Sequence, residues 1–370
     1  MTGNAHLVAL LALRDLGPFR LRSLLDAFGE PERAWEAVVQ GRVGDTPLRV
    51  SADKRPDLLA GWRSTAAETD VTAILPAHRA AGVQVLDPTH PDWPEAFIAD
   101  PEPPPVLFVR GDPALLSSTS VAIVGTRRCT AAGTATAREL GEDLSAAGVG
   151  VVSGLALGID GAAHHGALRG GGPVIGVVAT GLDVVYPRRH RDLWADVAVG
   201  GVLASEAPLG TKAERWRFPA RNRLIAALSR FVVVVESKRT GGSMLTVDSA
   251  VERGVEVGAV PGPVRAPMSA GPNQLLAEGC TVVRDATDVV VALGLSTAPL
   301  EPPDDPASRG GGGWATDDPV DRALGWTPTS LDDLVVASGR SFADVAARLT
   351  ELELAGAVQR QADGYQWRAS

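Results

Sequence analysis

Cysteine is nearly missing from this 370-residue chain, which has only Cys129 and Cys280. Two thiols are too few for a disulfide framework or a cysteine-ligated zinc site, and they suit a reducing compartment. No apolar run is long enough to span a bilayer. The opening MTGNAHLVALLALRDLG lacks a basic leader and a cleavage site, and Arg14 and Asp15 follow soon after its apolar stretch. A cytoplasmic protein with no membrane partner is expected. Positive charge is also scarce overall: the net charge is −9, which argues against a chain coated in nucleic acid. There is no GxxxxGK[ST] for a P-loop and no GxGxxG followed by an acidic residue, which argues against an ATP site and a nicotinamide dehydrogenase. His164-His165 lacks a second His or carboxylate at helical spacing, or a Cys pair, so neither a metal nor a cofactor is expected. No nucleophile–base pair is visible. Asp160 and Asp183 follow glycine loops, where a catalytic carboxylate and a helix-capping residue both remain open.

The rest of the composition is that of a chain with a proper core, 45% hydrophobic and 21% charged, long enough for roughly two to three domains. From Ala5 to about Ala66 the pattern is helical, with Gly-Pro and Gly-Glu-Pro turns, and predicts an all-α module over residues 1–75. DLGPFRLRSLLDAFG in it has the shape of a helix-hairpin-helix repeat. Its Gly turn suits either a phosphate backbone or plain packing and dimer support. Residues 76–295 alternate strand and helix. The runs GVQVLD, PVLFVRG, VAIVG, VGVVSG, PVIGVVA, GVLASE, FVVVVES, VEVGAVPG and TVVRD are β-branched and mostly end in Gly or a small polar residue. Buried parallel strands read this way. The expectation is a doubly wound, mostly parallel α/β sheet with its ligand site at the carboxyl edge. Residues 296–317 are rich in Pro, Gly and Asp and predict a flexible linker. Residues 318–370 read helix, turn, helix, then a hairpin about Asp363-Gly364, which is a winged helix. Eight acids against five arginines there give the wrong sign for a duplex reader, so protein contact or regulation is favoured.

Within this acidic chain one segment is basic. Between Ser205 and Arg239 eight Lys or Arg stand against three Glu, the mark of a focused anion site. RFPARNRLIAALS at its centre predicts a helix with Pro219 in the first turn. Arg221 and Arg223 would then lie close to the positive end of the helix dipole, where an anionic ligand would favour them. The competing reading has these arginines solvated or paired with Glu206 and Glu214. Four strand-end loops add to the picture: Gly125-Thr126-Arg127, Ser153-Gly154 with Gly158, Gly181 with the run Arg188, Arg189 and Arg191, and Lys238 with Thr240-Gly241-Gly242-Ser243. Glycine lets backbone N–H groups approach an anion, and the following helix start adds its dipole. Four such loops in one sheet favour an extended, phosphate-bearing ligand.

On VAIVGTRR, VVSGLALGIDGAAHHGAL, GLDVVYP, SEAPLG, RFPARNRLIAALS, TGGSMLTVDSA and VPGPV…GPNQLLAEG, the chain resembles the DprA/Smf family of bacterial DNA-processing proteins over nearly its whole length. The resemblance implies an extended Rossmann-like domain between a SAM-like helical module and a winged helix. It implies a homodimer that binds single-stranded DNA, protects incoming strands and loads the RecA recombinase in natural transformation, without catalysing a reaction. By motif, Arg127, Arg221 and Arg223 resemble phosphate contacts, Phe218 a stacking face, and Arg215 a further basic contact, with Asn222 in the same motif. Gly125, Thr126, Ser153, Gly154 and Thr240, Gly241, Gly242 and Ser243 would supply backbone and hydroxyl donors. The alternative is a nucleoside-monophosphate phosphoribohydrolase of the lysine-decarboxylase-like kind, marked by PGGxGTxxE. Here TGGSMLTVD puts Met244 for a glycine, Leu245 for the Thr and Asp248 for the catalytic Glu, which argues for lost hydrolysis. A transcription factor driven by the winged helix is a third reading, opposed by its acidity.

Overall fold

The computed structural model describes residues 3–45, 56–295, 318–326, 328–361 and 364–368. The expected linker, residues 296–317, and Asp363 of the expected hairpin turn lie outside the described residues. Each of the nine apolar runs becomes a strand: β1 Gln84–Leu86, β2 Leu107–Gly111, β3 Ser120–Val124, β4 Gly150–Ser153, β5 Val174–Val177, β6 Val202–Ser205, β7 Phe231–Val234, β8 Glu256–Ala259 and β9 Thr281–Val282. They form one sheet in the order β1-β2-β6-β5-β4-β3-β7-β8-β9. From β6 to β9 all neighbours are parallel, while β1 and β2 pair antiparallel at one edge.

Burial on both sides explains the continuous apolar runs. Along β3, Val121 and Ile123 face one buried cluster and Ala122 and Val124 the other. The first face is covered by the helices Ala131–Ala146, Ile159–Gly170 and Arg191–Gly200. The second is covered by Arg217–Ala227, Met244–Glu252 and Ala270–Ala277. Helices on both faces of a mainly parallel sheet are the doubly wound arrangement expected from sequence.

The N-terminal helices Gly3–Leu11, Pro18–Phe28, Pro31–Val39 and Pro56–Glu68 are continuous with this core. Leu10, Leu24, Trp35 and Trp62 share a buried cluster with Phe108 and Ile123. The next helix, Val71–Ala80, crosses the 75/76 boundary expected from sequence, and its His78 stacks on Phe108 of β2 with ring centroids 5.1 Å apart.

The winged helix has a core of its own, built on Val320, Leu334, Val345, Leu349 and Trp367. Its helices Pro319–Ala323, Leu331–Ser338 and Phe342–Leu354 precede the antiparallel pair β10 Val358–Gln361 and β11 Gly364–Trp367. Ser330 and Ser341 cap two of these helices by accepting from the N–H groups of Asp333 and Asp344, which stabilises each start by about 1 kcal/mol. Among the described residues no helix is long and apolar enough to cross a membrane.

Candidate nucleic-acid interface

The chain runs outward from β3 through β4, β5 and β6, then returns to lay β7 on the other side of β3. The β3–β7 boundary is therefore the switch point of the sheet, where the following loops part and leave a crevice. An open groove of about 830 Å³ lies there. Its walls are Gly125–Arg128 after β3, Ala156 and Asp160 after β4, Ser237–Lys238 and Gly241–Ser243 after β7, and Phe218, Pro219, Arg221 and Asn222 of the helix Arg217–Ala227.

Glycine is required where these loops meet. A Cβ on Gly125 would lie 2.8 Å from the Glu236 carbonyl, and one on Gly154 would lie 2.6 Å from Cζ of Arg221. The β3 and β7 loops are tied across the switch point by Glu236. Its carbonyl accepts from Thr126 N–H at 2.7 Å, and its carboxylate accepts from Thr130 N–H at 2.9 Å and from Thr130 Oγ1 at 2.6 Å. The carboxylate thus occupies the start of the helix Ala131–Ala146, where the sequence reading places a ligand anion. Asp160 does the same at the start of Ile159–Gly170, accepting from Gly154 N–H at 3.1 Å. Burial holds the Asp160 carboxyl above the ordinary aspartate value, against the pull of Arg221 and Arg127. The loop after β7 is different: Gly242 is exposed and its N–H donates to nothing among the described residues.

Several expected donors are thereby committed to the scaffold. Ser153 Oγ donates to the Ile123 carbonyl at 2.7 Å and is fully buried. Gly154 N–H serves Asp160. Ser243 Oγ donates to Ser237 Oγ at 2.8 Å. Asn222 Nδ2 donates to the Gly242 carbonyl at 3.3 Å, holding the loop rather than meeting solvent. Thr240 and Arg215 are exposed and lie outside the groove lining.

The arginines of RFPARNR need the largest revision. The helix begins at Arg217, which puts Pro219 in its first turn as expected but leaves Arg221 and Arg223 in the second, beyond the reach of the dipole argument. Arg221 is 7% exposed. Its guanidinium donates to the carbonyl of Gly154 at 2.9 Å and to that of Val177, closing the ends of β4 and β5. Burial brings it down to about 10, so it stays charged at neutral pH beside Asp160. Arg223 turns the other way, donating to the Glu102 carbonyl at 2.6 Å and pairing with Glu206. Its side chain is 9% exposed and that of Glu206 14%. Arg217 pairs with Glu214 at 3.0 Å. The pairing with Glu206 and Glu214 is realised, by Arg223 and Arg217, and the dipole reading of Arg221 and Arg223 is set aside.

Besides the buried Asp160 and Arg221, the charges that line the groove are Arg127, Arg128 and Lys238, all exposed and none ion-paired among the described residues. Arg127 lies over the Phe218 ring, its Cζ 5.2 Å from the centroid. Phe218 in turn meets Tyr186 of the β5 loop at 5.4 Å. Arg128 was legible in GTRR but overshadowed by its neighbour. Tyr186 and Glu236 have no local signal, since their partners lie far away in sequence.

His164 is buried, bonded through Nε2 to the Ile175 carbonyl at 3.1 Å, and held down to about 4 by burial, hence a neutral core residue. Asp183 accepts the Gly210 N–H at 2.9 Å. Asp248, the position the hydrolase alternative needs, is exposed and outside the groove lining.

Residues 84–294, more than half the chain, match the family described as DNA recombination-mediator protein A, and residues 297–364 match the DprA winged helix domain. The chain is 31% identical to Protein Smf of Synechocystis sp. over 402 aligned residues, covering 97% of each. Its fold is similar to the crystal structure of DNA processing protein A from Streptococcus pneumoniae, with a TM-score of 0.62 and 28% identity over 79% of this chain and 97% of that one. It is also similar to the Helicobacter pylori DNA processing protein A described for its single-stranded DNA binding mode, at a TM-score of 0.52 and 30% identity over 57% of this chain and 95% of that one.

Proposed function

The chain belongs to the DNA recombination-mediator protein A family, and from that premise we propose that its switch-point groove binds single-stranded DNA without reading sequence. Arg127, Arg128 and Lys238 neutralise phosphates, Gly242 N–H donates to a phosphate oxygen, and a base stacks on Phe218. The carrying observation is Arg127, a cation with no carboxylate partner among the described residues, lying on the Phe218 ring at the groove wall. Phosphate charge and a π-face are the two features that every nucleotide in a single strand shares, so a site built on them is tolerant of sequence. Arg221 acts here as a floor that shapes the groove. The same reading makes the protein a cytoplasmic homodimer and a binding protein rather than an enzyme. It protects incoming strands and passes them to the RecA recombinase in natural transformation.

A titration of single- and double-stranded oligonucleotides at several salt concentrations tests this. Single strands are expected to bind more tightly than duplex and with little sequence preference, the affinity falling with a log–log slope of about 0.7 per phosphate contact. Equal affinity for duplex, or binding insensitive to salt, overturns the proposal.

Deleting residues 314–370 is expected to leave single-strand affinity nearly unchanged, because the winged helix carries net negative charge and its core is separate. A loss beyond about tenfold, or 1.4 kcal/mol, with melting of the α/β core unchanged would show that the wing holds DNA directly.

A further inference from the structure

Glu236, just past β7, lies outside the groove lining, yet it grips the arch that carries Arg127 and Arg128 at both ends. At the near end its carbonyl accepts from Thr126 N–H at 2.7 Å. At the far end its carboxylate accepts from Thr130 N–H at 2.9 Å and from Thr130 Oγ1 at 2.6 Å. Between them, Arg128 N–H donates to Thr126 Oγ1 at 3.2 Å, so the arch is also folded on itself. Lys238 stands two residues beyond Glu236 and lines the groove from the β7 side. One residue thus joins the arginines of one switch-point strand to the lysine of the other.

The backbone around the carboxylate is cut to admit it. A Cβ on Gly133, in the first turn of the helix Ala131–Ala146, would lie 2.5 Å from Glu236 Cδ. By charge alone a carboxylate is misplaced here. It has no ion-pair partner among the described residues, and a negative charge behind a phosphate groove repels the strand. Capping does not require it either, since Thr130 Oγ1 already accepts from Gly133 N–H at 3.0 Å. What the carboxylate adds is a fixed far end for the arch.

We propose that Glu236 is a positioning residue for single-stranded DNA. It touches no nucleotide; it holds Arg127 and Arg128 in place relative to Lys238, so that less ordering remains to be done when a strand binds. This role rests on the reading of the groove as a single-strand site.

The test measures oligo-dT affinity of the full chain carrying Glu236→Gln, which keeps the shape but has one acceptor oxygen where two are used. Loss of the negative charge alone would tighten binding, most of all at low salt. Positioning predicts the opposite sign: binding weaker by about 5- to 150-fold at every salt concentration, from the ordering of two rotamer-rich side chains. Thr130→Val keeps the charge of Glu236 but removes one of its bonds, and it should also bind more weakly, while Thr130→Ser should bind as the parent does. Should Glu236→Gln not fold, the Thr130 pair carries the same test. All affinities are taken well below melting, where loss of fold support does not enter. With Arg127→Ala and Arg128→Ala also present, no arch cation is left to place, and Glu236→Gln should no longer weaken binding. Unchanged or tighter binding by Glu236→Gln overturns the positioning role, and so does an equal loss with and without the two arginines. Failure of the unaltered protein to hold single strands at any salt concentration instead overturns the groove reading beneath it.

Discussion

Replacing Arg221 with alanine is expected to destabilise the protein by about 2–6 kcal/mol, since leaving two buried carbonyls without their donor costs about 1–3 kcal/mol each. This is a large share of a typical folding free energy of about 5–15 kcal/mol. Three groups lose their partner at once: the carbonyls of Gly154 and Val177, which accept from the guanidinium, and the Asp160 carboxylate, whose charge Arg221 balances. The loss should depend on pH in a stated direction. Burial already raises the Asp160 carboxyl above its usual value, and without Arg221 it rises further. A carboxyl with a raised folded-state value contributes stability that is full below the unfolded value, about 3.9, and is lost as pH climbs through the folded value. The gap in stability between parent and variant should therefore narrow on acidification from neutrality. Denaturant unfolding at a series of pH values measures it. An Arg221→Ala protein as stable as the parent at neutral pH would return this residue to the role of an idle phosphate ligand.

Much of the fold was legible because it rests on local pattern. Parallel strands buried on both faces need unbroken β-branched runs, and all nine runs became strands. The roles of the arginines were not legible, because charge is visible in a sequence but its partner is not. Glu206 lies at the end of β6, and Arg223 reaches it from a helix on the face of the sheet. The buried pair Arg253–Asp100, at 2.7 Å, spans even more chain. The turn that holds Arg221 and Arg223 was not legible for a local reason. Trp216 precedes the helix without a side-chain cap, so no Ser, Thr, Asp or Asn marks the beginning, and Pro219 in the first turn is compatible with a start at Arg217 or closer to Arg221. The loop glycines read in sequence as places where the backbone can approach an anion; in the fold a Cβ at Gly154 would also meet the guanidinium of Arg221, and one at Gly125 the Glu236 carbonyl. Glu236 itself fills a helix start that sequence alone would leave open to a ligand.

Truncating Phe218 to alanine is expected to weaken single-strand binding by about 1–3 kcal/mol, the usual worth of one base stacked on an aromatic ring. That is a loss of about 5- to 150-fold. Phe218 is only half-buried and its ring contacts are Arg127 and Tyr186, so melting should move little. Leucine at the same position keeps the apolar bulk without the π-face and should recover only part of the loss. Full recovery by leucine would mean that Phe218 acts by filling space rather than by stacking.

The most direct measurement of the groove reading plots log affinity for one oligo-dT against log salt for the parent, Arg127→Ala and Phe218→Ala together. The arginine variant should lose about 0.7 from the slope, one phosphate contact on a single strand. The phenylalanine variant should keep the parent slope and lie below it at every salt concentration. Three superimposed lines from three folded proteins would contradict the assignment of single-stranded DNA to the β3–β7 switch point.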